Sequence, residues 1–158
     1  RLIGLLYEAS QAGVPIEIMA RGVCCLRPGV AGLSETITVR SIIGRFLEHG
    51  RIYVFANGGE FLSDKNIVMI SSADLMPRNL RRRVECFMRL ENPTIRKQVL
   101  HQIMVALLRD EKNAWYLKSD GSYVHPQIEE NSFSCHEYFM SNPSLSGLGS
   151  LAATPDNV

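Results

Sequence analysis

The sequence predicts an α/β fold in which a mixed β-sheet is flanked by helices, on the basis of three observations. Apolar residues follow helical spacing near the N-terminus and again over residues 92–107. Short alternating or β-branched apolar runs lie between and after these segments, and turn-forming residues separate the runs. The 158 residues, of which 46% are apolar, are enough for one domain with a sizeable core.

The first elements follow from local patterns. Apolar residues have helical spacing over residues 2–12, and Gly13 is placed to end that helix in a left-handed conformation. Apolar and polar residues then alternate over 16–20, which predicts a strand with Arg21 near its end. Three glycines and a proline in residues 22–32 predict a structured connection.

Residues 34–49 fit two conformations. Their apolar spacing is typical of a helix, whereas the β-branched content of 36–43 favours a strand. We predict extended chain to about Arg40, then a short helix that ends near His49, and then a strand over 51–56. If the extended geometry begins at His49, alternate side chains share one face of that strand: His49, Arg51, Tyr53 and Phe55.

The later elements are predicted in the same way. The turn residues 57–59 join the strand over 51–56 to a second strand over 67–72, which predicts a hairpin. Alternation predicts a strand over 83–90, and a capping asparagine followed by proline begins a helix over 92–107. Two short strands surround the Asp120-Gly121 turn, and a short helix is predicted around 135–140.

Composition argues against several classes of function. With 17 basic and 16 acidic residues the net charge is +1, so no overall field favours nucleic acid, and no apolar run approaches the roughly 20 residues that span a bilayer. The four cysteines show no Cys/His ligand spacing, which predicts reduced cytoplasmic thiols and no metal site. The first residue is Arg1, in a predicted helix and without an initiator methionine, so we expect the sequence to be part of a longer protein.

The candidate chemistry centres on His49. Glycine-rich phosphate motifs are absent from the sequence, so side chains must do most of any phosphate binding. Asp74 and the serines before it end the strand that pairs with the one after His49, and they could orient its ring. Imidazole can act as a nucleophile, acceptor or proton donor, and arginine adds a fixed positive charge. The alternatives are a structural His49 at a helix end, and a solvated face for the basic residues Arg78, Arg81, Arg82 and Arg83.

Several strings together resemble one family. The similarity covers about residues 1–126, and the sequence is identified as similar to the C-terminal part of bacterial polyphosphate kinase. The strings are RGVCCLRPG at 21–29, VRSIIGRFLEH at 39–49, ISSAD at 70–74, RNL at 78–80, RRVE at 82–85 and DGSY at 120–123.

This resemblance implies a phospholipase-D-like catalytic domain over 1–126, the second of two in that enzyme, and a weakly structured C-terminal extension over 127–158. It also implies reversible transfer of the terminal phosphoryl group of ATP to polyphosphate, with Mg²⁺ and through a phosphohistidine. In the family the phosphorylated histidine belongs to a preceding domain, and the Mg²⁺ site and adenine pocket also lie upstream. This chain alone is therefore expected to be inactive.

The resemblance also assigns residues and partners. His49 corresponds to the second active-site histidine, Arg21 to a contact with nucleotide phosphate, and Arg83 to the channel for the polyanion. We expect these three to converge on one edge of a sheet, where ligands commonly bind in α/β architectures. The implied partners are ATP or ADP, polyphosphate, the preceding domains and further copies in a homo-oligomer. The implied location is the cytoplasm, with membrane association of the full-length enzyme as an option.

Two features depart from the family pattern. The turn after Gly59 is longer than expected, which should affect the surface more than the site, and the residues after Pro126 match no motif. One alternative function is a polyanion-binding module without activity of its own. A phospholipase-D-like hydrolase is disfavoured, because such enzymes pair two HxK motifs and this chain has one histidine motif with Arg51 in the lysine place.

Overall fold

The computed structural model describes residues 1–142. The chain forms two compact units, one from residues 1–48 and 109–138 and the other from residues 49–108 with the described residues from Phe139 onward. The helices are α1 (Leu2–Gln11), α2 (Pro77–Arg82), α3 (Pro93–Gln98), α4 (Val105–Leu108) and α5 (Cys135–Ser141). The strands are β1 (Ile16–Met19), β2 (Ile37–Ile42), β3 (Ile52–Phe55), β4 (Ile67–Ser71), β5 (Phe87–Arg89), β6 (Ala114–Leu117) and β7 (Tyr123–Val124).

The first unit is built on a mixed sheet in the order β1-β2-β6-β7. β1 and β2 are parallel, and the other two pairs are antiparallel. As predicted, α1 ends at a left-handed Gly13, whose φ is +85°. The amide of Gly13 donates to the carbonyl of Ser10, and that of Val14 donates to the carbonyl of Ala9. This Schellman motif provides hydrogen-bond donors for carbonyl groups in the last turn of the helix. One buried apolar cluster of this unit is formed by Leu26, Ile37, Val39 and Leu117.

The second unit contains an antiparallel sheet in the order β3-β4-β5. The predicted hairpin is confirmed, since Ile52 lies opposite Ile70 and Phe55 opposite Ile67. Asn92 caps α3 by accepting hydrogen bonds from the amides of Thr94 and Ile95, and the helix continues through a π-helical segment (Val99–Met104) into α4. One buried apolar cluster of this unit is formed by Val68, Leu90 and Leu100.

The structure corrects three predicted elements. The helix expected to end near His49 is absent, because residues 37–42 form β2, held between β1 and β6, and 43–51 are irregular. The strand expected over 83–90 is shorter and is confined to β5. The basic cluster lies on α2 and at its end, a helix that the sequence analysis did not predict; Arg78, Arg81 and Arg82 belong to it.

The remaining predictions have mixed outcomes. The α/β class is confirmed, and so are the strands around the Asp120-Gly121 turn and the short helix near Cys135. Within residues 1–142, no helix is long and apolar enough to cross a membrane. The domain boundary at residue 126 stays a prediction, and the extension from residue 143 onward lies outside the described residues.

Candidate phosphate-binding site

His49 lies three residues before β3 and is exposed to solvent. The guanidinium of Arg51 extends across the ring, with Nη1 3.3 Å from Nδ1 and Nη2 3.3 Å from Nε2. Because a guanidinium has only donors and a neutral imidazole has one acceptor, at most one of these contacts is an ordinary hydrogen bond. The two groups therefore present an imidazole and a fixed positive charge side by side.

Asp74 holds Arg51 in this position. Its Oδ1 accepts a hydrogen bond from Arg51 Nε at 2.9 Å, and both side chains are about four-fifths buried, at 18% and 21% exposure. The strand pairing aligns the segments, since the amide of Ser71 donates to the carbonyl of Arg51. We expected the Ser/Asp segment to orient the ring of His49. In the structure Asp74 instead contacts Arg51, and Arg51 contacts His49.

The segment that carries Asp74 is fixed by Glu85. Oε2 of Glu85 accepts from the Ser72 hydroxyl, and Oε1 accepts from Asn79 Nδ2 at 3.0 Å. The Ser72 hydroxyl also accepts from the amide of Cys86 at 3.0 Å. These bonds tie the end of β4 to α2 and to the approach of β5, so the position of Asp74 depends on a buried asparagine and a largely buried carboxylate.

Tyr53 completes the polar surroundings of the Arg51–Asp74 pair. Its hydroxyl donates to the carbonyl of Ala73 at 3.3 Å. Burial raises the pKa of Tyr53, with Arg51 lowering it and Asp74 raising it by smaller amounts. The phenol therefore stays protonated at neutral pH and acts as a donor, and its ring packs on Phe87 with the centroids 5.5 Å apart.

Arg83 ends α2 in an extended conformation and is not at the start of a strand as expected. Its side chain is 61% exposed, and Nε lies 3.8 Å from Oε1 of Glu85. This contact is too long for a tight ion pair, so most of the guanidinium faces solvent. Arg83 therefore belongs to the same unit as His49 and shares Glu85 with the segment that holds Asp74.

Arg21 lies in the other unit and follows Ala20, whose main chain is held by two hydrogen bonds. The amide of Ala20 donates to the carbonyl of Arg40 at 2.8 Å, and the Ser41 hydroxyl donates to the carbonyl of Ala20 at 2.6 Å. Arg21 is exposed and begins a loop. That loop, together with the β6–β7 hairpin, lines a surface groove of about 620 Å³ whose lining includes Arg27 and Lys118.

The expectation that the three residues share one sheet edge is wrong. Arg21 follows β1 of the four-stranded sheet, His49 precedes β3 of the three-stranded sheet, and Arg83 follows a helix. Parallel and antiparallel runs with similar β-branched content look alike in a sequence, so local patterns could not divide the strands between two sheets.

The residue before His49 is held by a separate contact within the first unit. Oε1 of Glu48 lies 2.7 Å from Nε2 of His136, which is 2% exposed, and the amide of Phe46 faces the other ring nitrogen at 3.5 Å. The thiol of Cys135 lies close to both of these side chains. The sequence gives no local signal for this pairing, because 88 residues separate the partners.

Comparison with known proteins identifies the family. The family model described as "Polyphosphate kinase C-terminal domain 2" matches residues 1–135. The chain belongs to the polyphosphate kinase family. It is 57% identical over 148 residues to a polyphosphate kinase of Erythrobacter litoralis, covering 94% of this chain and 21% of that protein. It is 53% identical over 132 residues to one of Prochlorococcus marinus, covering 83% and 18%.

A solved polyphosphate kinase has the same fold. The crystal structure of the Porphyromonas gingivalis protein superimposes with a TM-score of 0.80 at 34% identity, over 90% of this chain and 21% of that one. This match confirms the predicted phospholipase-D-like α/β fold. The chain spans about a fifth of the length of the polyphosphate kinases that it matches.

Proposed function

We propose that this chain is the C-terminal catalytic part of an enzyme that reversibly transfers the terminal phosphoryl group of ATP to polyphosphate. Membership of the polyphosphate kinase family is the observation that carries the proposal. In it, the phosphohistidine nucleophile comes from a preceding domain, and this chain contributes cationic and imidazole groups. The chain is then inactive by itself.

The arrangement of His49 and Arg51 suits this chemistry. Catalysis of phosphoryl transfer mainly requires that the protein position the reactants and place positive charge where negative charge develops. Arg51 is held by Asp74 before any substrate arrives, so its charge is oriented in advance. We propose that His49 contacts the transferred phosphoryl group as a donor or acid–base partner, with Arg51 beside it.

Arg21 and Arg83 have proposed roles on the substrate. Arg21 would bind a phosphate of ATP, because a guanidinium matches phosphate oxygens with two parallel hydrogen bonds. Arg83 is largely exposed and would line the path of the polyphosphate chain. Mg²⁺ would be bound mainly by residues outside this chain.

The experiment is phosphotransfer by the full-length enzyme carrying His49→Ala, Arg21→Ala or Arg83→Ala. We expect His49→Ala and Arg21→Ala to lower kcat/KM by at least about 100-fold, as removal of a charge-stabilising group typically does, and Arg83→Ala to act mainly on the KM for polyphosphate. His125→Ala and Arg96→Ala, the latter on α3, are the matched controls and should leave activity within about threefold of wild type. Normal turnover by His49→Ala would contradict the proposal.

A polyanion-binding module without catalytic duty is the second candidate. The exposed arginines on and after α2 favour it. Phosphorus NMR of this chain with short polyphosphate and with Mg-ATP separates the two, when combined with adding back the preceding domains. Restored transfer supports the kinase, whereas binding without restored transfer supports the module.

Assembly and location are also proposals. We propose that the chain works together with preceding domains of the same protein, in a homo-oligomer, and in the cytoplasm with membrane association as an option. Size measurement and fractionation of the full-length enzyme test these statements.

A further inference from the structure

Three side chains with metal-binding atoms meet in the first unit: those of the neighbouring residues Cys135 and His136, and that of Glu48, which is 88 residues from His136 in sequence. One ligand atom each from Glu48, Cys135 and His136 lies within 4.8 Å of the other two. Cys135 and His136 are buried, at 0% and 2% exposure, and the side chain of Glu48 is 30% exposed. We propose that Glu48, Cys135 and His136 form a zinc-binding site. This inference does not depend on the proposed phosphotransfer.

The donor set suits zinc. Thiolate, imidazole and carboxylate are the ligands that Zn²⁺ takes in proteins, and its tetrahedral bonds place ligand atoms about 3.3–3.8 Å apart. The 4.8 Å limit on the separations includes this range. The Oε1–Nε2 distance of 2.7 Å is shorter, so Glu48 must move about 1 Å to admit the ion. Its partial exposure leaves room for that movement, and water would supply the fourth ligand.

The charges around Cys135 favour a cation. The thiol of Cys135 is buried, Oδ2 of Asp110 accepts a 2.7 Å hydrogen bond from the Cys135 amide, and the carboxylate of Glu48 also lies nearby. A thiolate there would be costly alone, whereas a divalent ion would offset the charges of the thiolate and Glu48 together. On binding, the Zn–S bond forms as the S–H proton passes to solvent, with no change in oxidation state.

Asn113 is placed to support the histidine. Its Nδ2 donates to Asp110 and to Ser134, which directs Oδ1 elsewhere. A Cβ added to Gly44 would stand 2.5 Å from His136 Nδ1 and 2.7 Å from Asn113 Oδ1, so both atoms face the same small space. When Nε2 binds zinc, Nδ1 carries the ring proton, so the 3.5 Å contact from the Phe46 amide has to open, and Asn113 Oδ1, which faces the same space, is available as the new acceptor.

The first test is zinc and cobalt titration of the full chain after treatment with a chelator. We expect one equivalent of Zn²⁺ that competes with a chelating indicator, and a thiolate-to-metal absorption band with Co²⁺. Cys135→Ser should abolish the band, and His136→Gln and Glu48→Gln should each weaken binding at least about tenfold. The control Cys25→Ser/Cys86→Ser, which removes two exposed thiols, should bind like wild type.

A second measurement needs no variant and covers the case in which a substituted chain fails to fold. X-ray absorption of the zinc-loaded wild-type chain should show one sulfur ligand at about 2.3 Å among nitrogen and oxygen ligands. Three results would overturn the site: no retained equivalent, a coordination shell without sulfur, or binding that survives in Cys135→Ser but is lost in the control.

Discussion

Arg21 and His49 are held in different ways. Arg21 follows a residue fixed by main-chain bonds and by the Ser41 hydroxyl, at the end of a strand whose neighbour β2 is largely buried. His49 precedes β3, which is only partly buried, and the contacts to its ring come from a guanidinium that a carboxylate holds. The position of Arg21 therefore depends on the core of its sheet, whereas that of His49 depends on charged side chains. Damage to packing should affect the first, and changes of charge should affect the second.

The largest expected effects come from the two cores, which can be compared with one substitution. Leu26→Ala in the first unit and Leu100→Ala in the second each remove a leucine that is 2–3% exposed. Each should lower the free energy of unfolding by about 2–5 kcal/mol. Hydrogen exchange should speed up mainly in β1 and β2 for Leu26→Ala, and mainly in β3 and β4 for Leu100→Ala. Equal acceleration of exchange in both sheets would mean that the two units unfold together, which would contradict their separate stabilisation.

The buried thiol of the first unit should make stability depend on pH. The pKa of Cys135 is raised above its ordinary value of 9.0, chiefly by burial. Above about pH 9 the unfolded chain loses this proton while the native chain keeps it, so stability falls as pH rises. The free energy of unfolding then falls by up to about 1.4 kcal/mol per pH unit. The test is denaturant unfolding from pH 8 to 10 with a chelator present. The free energy of unfolding should fall less steeply with pH in Cys135→Ala than in wild type. The control Cys86→Ala, which removes an exposed thiol, should match wild type.

The charge-dependent support of His49 can be tested at Asp74. Asp74→Asn should cost about 1–2 kcal/mol of stability, because the Arg51–Asp74 pair is mostly but not fully buried. It should also lower phosphotransfer by the full-length enzyme more than this loss explains. The matched control Asp64→Asn breaks an exposed pair with Lys97, 3.5 Å apart, and should change stability by less than about 0.5 kcal/mol. Equal effects of the two variants on activity would remove the proposed role of Asp74.

The smallest effects on stability are expected from two glycines of the first unit, one inside α1 and one just after it. Gly13→Ala forces a side chain into a φ of +85° and should destabilise by about 1 kcal/mol, although no atom crowds the new methyl group. Gly4→Ala, inside the same helix and equally uncrowded, should stabilise by about 0.5–1 kcal/mol. Thermal unfolding of both variants tests the opposite signs; a stabilising Gly13→Ala would contradict the assigned end of the helix.

Much of the fold could be predicted from local sequence, because local chemistry decides it. Gly13 and Asn92 act on their own helix ends, and the β3–β4 hairpin follows from two apolar runs and a turn. The false helix before His49 shows the limit. The spacing of its apolar residues fits a helix, but β2 gains main-chain partners on both sides, and no local pattern reports those partners.

The candidate site was predictable only in its individual residues. The sequence indicated His49 and the Ser/Asp segment as neighbours, since hairpin strands are adjacent. It could not show that Asp74 reaches Arg51 and not the histidine, because side-chain reach depends on the register and on Glu85. The Glu48–His136 contact could not be foreseen for a similar reason: it joins residues from separate parts of the chain and has no local signal.

The order of strands in the first sheet has a consequence for synthesis of the chain. β2 pairs with β1 early, but its other neighbour, β6, follows residues 43–113, which include all of the three-stranded sheet. During translation β2 therefore exposes an unpaired edge rich in β-branched residues while the second unit, whose three strands are consecutive, is being made. Compaction of the second unit shortens the effective loop and lowers the entropy cost of adding β6. A slow-folding second unit would thus prolong the time in which the first can join another chain.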